Sequence, residues 1–187
     1  MPSQLAQTFQ DGRFVVTSEL TPPKGIDLGA LLEKAAFLAP RIDAFNLTDS
    51  HNARMSMAPI AAAHLLLDRG IEPIMQMTSR DRNRIAQQGD LLAATALGIH
   101  NVVFMSGDPP TNGDHPDAKP VFDLATIPLL AAARGLNEGH DVMGNELQGK
   151  TDLCIGAVTN PGADDQQKEL DRLKEKMDAG ATFFQTQ

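Results

Sequence analysis

Apolar and polar positions follow two rhythms along this chain. Short apolar or β-branched runs recur at Phe14–Leu20, Ala44–Thr48, Glu72–Met77, Val102–Met105, Leu153–Val158 and from Thr182 to Gln187. Runs of this length between turn residues predict strands. Between them the spacing becomes helical. Leu31, Leu32, Ala35 and Leu38 share one face of a helix over Leu28–Leu38, with Asp27 placed to cap it. Ile60, Ala63, His64 and Leu67 are in phase over a helix from Ser56 or Met57 to Arg69, closed by Gly70. Further helices are predicted over Asp81–Leu97, Thr126–Leu136 and Asp165–Ala179. Asp49–Arg54 and the Gly/Pro/Asp-rich Asp108–Lys119 read as loops, and Gly139–Gly149 as irregular.

Strand and helix thus alternate roughly six times, which implies parallel strands joined by right-handed crossovers. A doubly wound sheet and a (β/α)8 TIM barrel both satisfy that order. No Gly-x-Gly-x-x-Gly follows any strand, so the usual fingerprint of the dinucleotide-binding sheet is missing. Polar groups follow nearly every strand: Glu19, Thr48 and Asp49, Thr78 to Arg80, Asp108, Asn160 and Gln187. A ring of this kind suits the barrel, whose site is built from every βα loop. A complete barrel takes about eight strands and ~250 residues. The expectation is therefore one barrel domain over residues 1–187, incomplete, with about six βα units present. Open on two edges, it is expected to be a fragment or to lack its last strands.

The centre of the pattern is Asn101 to Pro110. A buried run stops at Ser106-Gly107, a carboxylate follows at Asp108, and Pro109-Pro110 are expected to forbid further strand or helix. A charge on a stiffened turn after a buried strand is where α/β enzymes keep their chemistry.

Composition narrows the classes. The chain has 187 residues and a formal charge of -8, with no Trp and no Tyr. An acidic chain without a Lys/Arg cluster or an aromatic platform argues against nucleic-acid binding. One cysteine, Cys154, has no partner for a disulfide, fits a reducing cytoplasm and reads as a core thiol. No run approaches the ~18 apolar residues of a membrane span. The five histidines show no metal-ligand spacing, so no metal is expected. Asp164-Asp165 and the loop carrying Asp108, Asp114 and Asp117 read as solvated or helix-capping. The eight methionines read as core filling.

Taken together, the strand ends resemble the methylenetetrahydrofolate reductase family. The resemblance rests on Thr17-Ser-Glu-Leu-Thr-Pro-Pro23, Thr78-Ser-Arg-Asp-Arg-Asn83, Met105-Ser-Gly-Asp-Pro-Pro110, Leu173 to Ala181 and Gln185-Thr-Gln187. It is nearest to the branch fused to homocysteine methyltransferase domains, and it covers nearly the whole chain from Phe14. It implies a (β/α)8 barrel in one-carbon (folate) metabolism and methionine biosynthesis. Such a barrel binds FAD at its C-terminal face, takes a hydride from NADH, NADPH or another donor, and reduces 5,10-methylenetetrahydrofolate to 5-methyltetrahydrofolate. An alternative is a non-catalytic folate- or flavin-binding subunit that completes its barrel with a partner chain. A homo-oligomer or partner subunit is expected.

By that resemblance Glu19 is the general acid that opens the imidazolidine ring. Such a carboxyl works near neutral pH only if partial burial favours its protonated form, which is expected for Glu19. Asp108 lies near flavin and pterin, and Gln187 contacts folate. Thr48 lies beside nicotinamide and flavin. Lys176 holds the cofactor's phosphates and ribose, Asn160 follows the fifth strand, and Phe122 and Asp123 lie toward the adenine. Ser106, Gly107, Gln76 and Asp49 complete the expected cofactor set. Of these, Gln76, Ser106 and Asp49 depart from the better-known bacterial branch, which has His, Arg and Tyr there; Val158 likewise stands where that branch has Tyr. Arg80 or Arg82 would then supply the cationic contacts.

Overall fold

The computed structural model describes residues 3–186. Six strands form one parallel sheet in chain order. They are β1 (Thr17–Leu20), β2 (Ala44–Leu47), β3 (Pro73–Thr78), β4 (Asn101–Met105), β5 (Cys154–Thr159) and β6 (Phe183–Thr186). The helices are α1 (Gln4–Gln10), α2 (Gly29–Leu38), α3 (Pro59–Leu67), α4 (Arg84–Ala96), α5 (Thr126–Glu138) and α6 (Gln166–Asp178).

The strand pleat sorts the side chains, because successive residues point to opposite faces. Phe45, Leu47, Met75, Val102, Phe104 and Ile155 point outward and join Leu31, Ala35, Leu66, Leu91, Leu129 and Leu136 of the helices in one core. Ala44, Ile74, Val103 and Phe183 point inward and form a second, smaller core with Leu5. In a flat sheet β2 and β6, four strands apart, would be about 19 Å distant. Yet Gln185 of β6 donates its amide to Asn46 Oδ1 of β2. The sheet is therefore curled around a lumen, as an open, incomplete TIM barrel.

Helix α1 was not expected from the sequence, because seven residues with few apolar positions carry no periodic signal. Its N-terminus is capped by Ser3, whose Oγ accepts from Ala6 N at 2.8 Å. Leu5 is fully buried in the lumen, and the Phe9 ring lies 5.4 Å from that of Phe183. This short helix closes the N-terminal end of the lumen.

Several expected boundaries move. β1 begins at Thr17 rather than Phe14, whose side chain is 90% exposed. α3 begins at Pro59, which tolerates the first turn because its missing N–H would be unpaired there. α4 begins after Asn83, whose Oδ1 accepts from Ile85 N and Ala86 N, because Asp81 is occupied by Arg80. The prolines after β4 do not exclude helix: Pro110–Asn112 forms one 3-10 turn. Asp27 does bond the start of α2, accepting from Gly29 N at 2.9 Å. Not all methionines fill the core: Met75 and Met77 are buried, but Met55, Met143 and Met177 are exposed. Among the described residues, no helix is long and apolar enough to cross a membrane.

Candidate active site at the C-terminal mouth

Parallel strands gather their C-terminal ends at one end of the sheet, and the two carboxylates singled out from the sequence both lie there. Glu19 sits near the end of β1, opposite Asn46 in register. Its Oε2 lies 3.5 Å from the Gln76 amide of β3, which donates to it. Thr17, Asn46 and Gln185 continue this polar layer across the lumen. The burial expected for Glu19 is absent: its side chain is exposed. The cause is position, because β1 is an edge strand of the six and the lumen is open beside it.

Asp108 follows β4 and is also exposed. Gly107 shapes its turn with φ +83, and a Cβ there would sit 3.0 Å from Thr78. Both the left-handed backbone and the close approach to β3 require glycine. The turn is tied to β3 by Ser79 Oγ donating to Ser106 O at 3.3 Å and by Ser79 N donating to Met105 O. Arg80, only 3% exposed, donates to the backbone carbonyls of Asp108 and Ser50 and forms a two-point pair with Asp81. The Asp81 bond outweighs the burial cost and holds the Arg80 guanidinium above its ordinary pKa.

Asp49 is a structural hub. Its carboxylate accepts from Thr78 N and Thr78 Oγ1 at 2.8 and 3.0 Å and from both terminal nitrogens of Arg82 at 2.8 and 3.2 Å. Burial works against the charge on Arg82, but the bond to Asp49 and the Asp90 carboxylate 2.9 Å away outweigh it, raising its pKa. Arg80 and Arg82 are therefore engaged with the protein's own carboxylates rather than free for a cofactor. Thr48, beside Asp49, buries a hydroxyl with no hydrogen-bond partner among the described residues.

A cavity of about 500 Å3 opens between the ends of β4 and β5. Ser106, Phe122, Asn160 and Lys176 line it, together with Arg172 and Val158. The N-terminus of α5 also borders it, with Ala125 in the capping position and no side-chain cap, so the N–H groups of Thr126 and Ile127 stay available, Pro128 having none. Lys176 Nζ donates to Val158 O at 2.6 Å, and burial lowers its pKa. Glu169 accepts from Asn160 N at 2.9 Å and Thr159 Oγ1 at 2.8 Å, which hold its carboxyl below its usual range. Asp123, by contrast, does not line this cavity. Arg84 grips it through N, Nε and Nη2, and the pair lowers its pKa to about 2. Gln187 lies outside the described residues.

One cluster was missed by sequence reasoning. Asp114, read as a solvated loop acid, accepts from Lys24 Nζ and from Met55 N at 3.0 Å, and lies 2.8 Å from His115 Nδ1. It joins the loops after β1, β2 and β4, and the Lys24 bond first of all pulls its pKa well down. Only an acidic residue flanked by Gly113 and His115 hinted at this, since its partners are distant in sequence. Cys154 behaves as expected of an inert thiol: burial raises its pKa. Among the described residues no cluster of three His, Cys, Asp or Glu side chains could hold a metal.

The sequence model of the methylenetetrahydrofolate reductase family matches residues 4–187. The chain belongs to the methylenetetrahydrofolate reductase family. Among solved structures it is similar to an uncharacterized protein from Clostridium thermocellum that binds two copies of 5-methyl-5,6,7,8-tetrahydrofolic acid. That match has 16% identity and a TM-score of 0.59, covering 98% of this chain and 58% of that one. It is also similar to 2,3-dimethylmalate lyase, a member of the PEP mutase/isocitrate lyase superfamily. Here the identity is 12% and the TM-score 0.60, covering 98% of this chain and 61% of the other. At these identities the likeness speaks for the fold alone. The chain thus spans about three-fifths of the length of either structure.

Proposed function

We propose that residues 1–187 form one barrel domain of a flavin-dependent enzyme reducing 5,10-methylenetetrahydrofolate to 5-methyltetrahydrofolate. The observation that carries this reading is that Glu19 and Asp108 lie at one mouth, in a chain of the methylenetetrahydrofolate reductase family. The folate-binding protein from Clostridium thermocellum, which shares the fold, supports folate as the substrate class.

The residues present fit FAD. The cavity between β4 and β5 offers Arg172, Lys176 and the uncapped α5 N-terminus to a pyrophosphate, and Phe122, Ile127 and Pro128 to an apolar ring. The unpartnered Thr48 hydroxyl at the mouth is a further polar contact in want of a ligand. Ser106 and Asn160 border the same space from the strand ends. When bound, the flavin would supply the hydride, taken from NADH or NADPH. The chain's own groups do the rest. Glu19, open to solvent in the free chain, is covered by the bound pterin and then carries a proton to the ring nitrogen of the folate, while Gln76 orients that carboxyl from β3. Asp108 accepts hydrogen bonds from the pterin and biases the flavin's potential by its charge. Asp49 and Asp123 serve the site by holding Arg82 and Arg84 rather than by touching the cofactor.

The exposure of Glu19 favours a second reading, a folate- or flavin-binding subunit that needs a partner chain to bury this carboxyl and complete the barrel. One experiment separates the two. The purified full-length protein should regain FAD absorbance on titration, and Glu19→Gln should abolish folate reduction while leaving NADH or NADPH oxidation by an artificial acceptor intact. Loss of both activities would make Glu19 structural. FAD binding without any folate reduction by the wild type would favour the subunit.

A further inference from the structure

The outer face of α4 runs against the ordinary pattern of a barrel helix. A helix in that ring is expected to be apolar toward the sheet and polar toward water. Every exposed residue of α4 is instead alanine, glycine, isoleucine or leucine. Ile85, Gly89, Leu92, Ala93 and Ala96, with Leu97 just beyond the helix end, recur every three or four residues and so share one stripe. Ile85 is 78% exposed, and Leu92 and Leu97 are 40% and 41% exposed. The buried face carries the polar residue: Gln87 is fully buried, with neither side-chain amide atom bonded among the described residues. Gly89 is a second, independent observation. It sits in the helix interior without a positive φ, and a Cβ there would meet nothing within 4 Å among the described residues. Glycine in a helix interior weakens the helix relative to alanine. The chain's own packing therefore gives no reason for glycine at 89, whereas close approach of a second backbone does.

We propose that this stripe is the two-fold contact of a dimer of this chain. The inference is independent of the folate reading. Charge selects a second copy as the occupant. In a two-fold contact each patch faces its own image, so any charge in it meets its like. A chain of formal charge -8 repels its copy over most of its surface, but the stripe itself is uncharged. The charges flanking it are already paired within the chain, Asp90 with Arg82 at 2.9 Å and Arg84 with Asp123 at 2.9 Å. Burying the stripe therefore strands no ion. The stripe also fits itself: an antiparallel crossing about an axis between Gly89 and Ala93 sets those two small residues against each other and Ile85 against Leu97 of the other copy. Val142 N donates to Gln88 Oε1 at 2.8 Å, which brings the segment carrying Met143, 73% exposed, to the flank of the stripe and widens the apolar patch. Strands added to the sheet would join its open edges, β1 and β6, whereas β4 lies inside the row and α4 leads into it. The patch is smaller than the roughly 20–30 residues a side of a standard interface, so the dimer is expected to be weak and reversible, with a Kd on the order of micromolar.

The test is sedimentation equilibrium of the full-length protein over about 1–100 μM, for the wild type, Ile85→Lys and Gly89→Ala. The wild type should associate reversibly across that range, and Ile85→Lys should halve the particle mass at its upper end. Gly89→Ala decides the matter, because its two expected effects have opposite signs. It should raise the Tm of the dilute protein by improving the helix, yet weaken association about tenfold or more by filling the space where the second backbone approaches. A higher Tm with unchanged association overturns the proposal, since the stripe would then be merely exposed. So does an oligomer that survives both substitutions, which would place the contact elsewhere. Maleimide labelling of Ile85→Cys covers the remaining case. Protection that grows with protein concentration supports the dimer. Protection in a protein that stays monomeric would assign the stripe to another segment or to a different partner, and overturns it.

Discussion

At the N-terminal end of the sheet the lumen is closed by apolar contacts, while at the C-terminal end the loops are tied by charges. α1 inserts Leu5 among Ala44, Ile74, Val103 and Phe183 and stacks Phe9 near Phe183. The opposite end is held by Asp49 with Thr78 and Arg82, by Arg80 with Asp81, and by Asp114 with Lys24 and Met55. Apolar packing is indifferent to direction and well suited to a plug. Charged hydrogen bonds fix orientation, at the cost of desolvation that only good geometry offsets. The end that carries the proposed chemistry is thus the end whose geometry is specified bond by bond.

Four substitutions would break or sharpen that contrast. Asp49→Ala should have the largest effect. It strands the buried Thr78 N–H and Arg82, which is expected to cost about 3–5 kcal/mol, with flavin and folate binding lost in parallel. Chemical denaturation and ligand titration on the same samples would check it. Leu5→Ala, at the other end, should cost about 2–4 kcal/mol in stability yet leave kcat/KM at permissive temperature unchanged. A kinetic defect there would mean that the two ends are coupled. Gly113→Ala should destabilise by about 1–3 kcal/mol and act locally, raising hydrogen exchange over residues 50–57 before the rest of the chain. A uniform rise would show that the close contact of Gly113 with the Ala53 backbone supports the whole fold.

The smallest effect concerns pH. Arg84 depresses Asp123 from the ordinary 3.8 to about 2. A depressed carboxylate contributes stability above its ordinary pKa and loses it as pH falls through the folded value. The contribution of this pair should therefore disappear between pH 3.8 and about 2. Asp123→Asn should flatten the acid-denaturation curve in that window alone. Because the pair is solvent-accessible, 1 M salt should shrink the effect.

Much of the fold is legible in the residue pattern because its causes are local. Runs such as Val102–Met105 demand a strand, the spacing of Leu31, Ala35 and Leu38 a helix, and their alternation a parallel sheet. The mouth was legible for the same reason, since Glu19 and Asp108 stand at the ends of strands that must run in one direction. The residues' duties were less so. Asp123 belongs to Arg84, 39 positions away; Asp49 to Arg82, 33 away; and Asp114 to Lys24, 90 away. No local pattern encodes such pairs. α1 escaped because its helix is stabilised by the lumen it fills rather than by its own seven residues.

The sequence by itself determined which segments become strands and helices, that the strands lie parallel, and which family the chain resembles. Only the tertiary structure decided that the sheet curls far enough for Gln185 to reach Asn46, that Glu19 remains exposed on an edge strand, and that Arg80 and Arg82 are engaged internally while Arg54 stays free among the described residues. The physical reason is range: periodicity records what neighbouring residues bury, whereas charge pairing and exposure depend on which distant loops the closing sheet brings together.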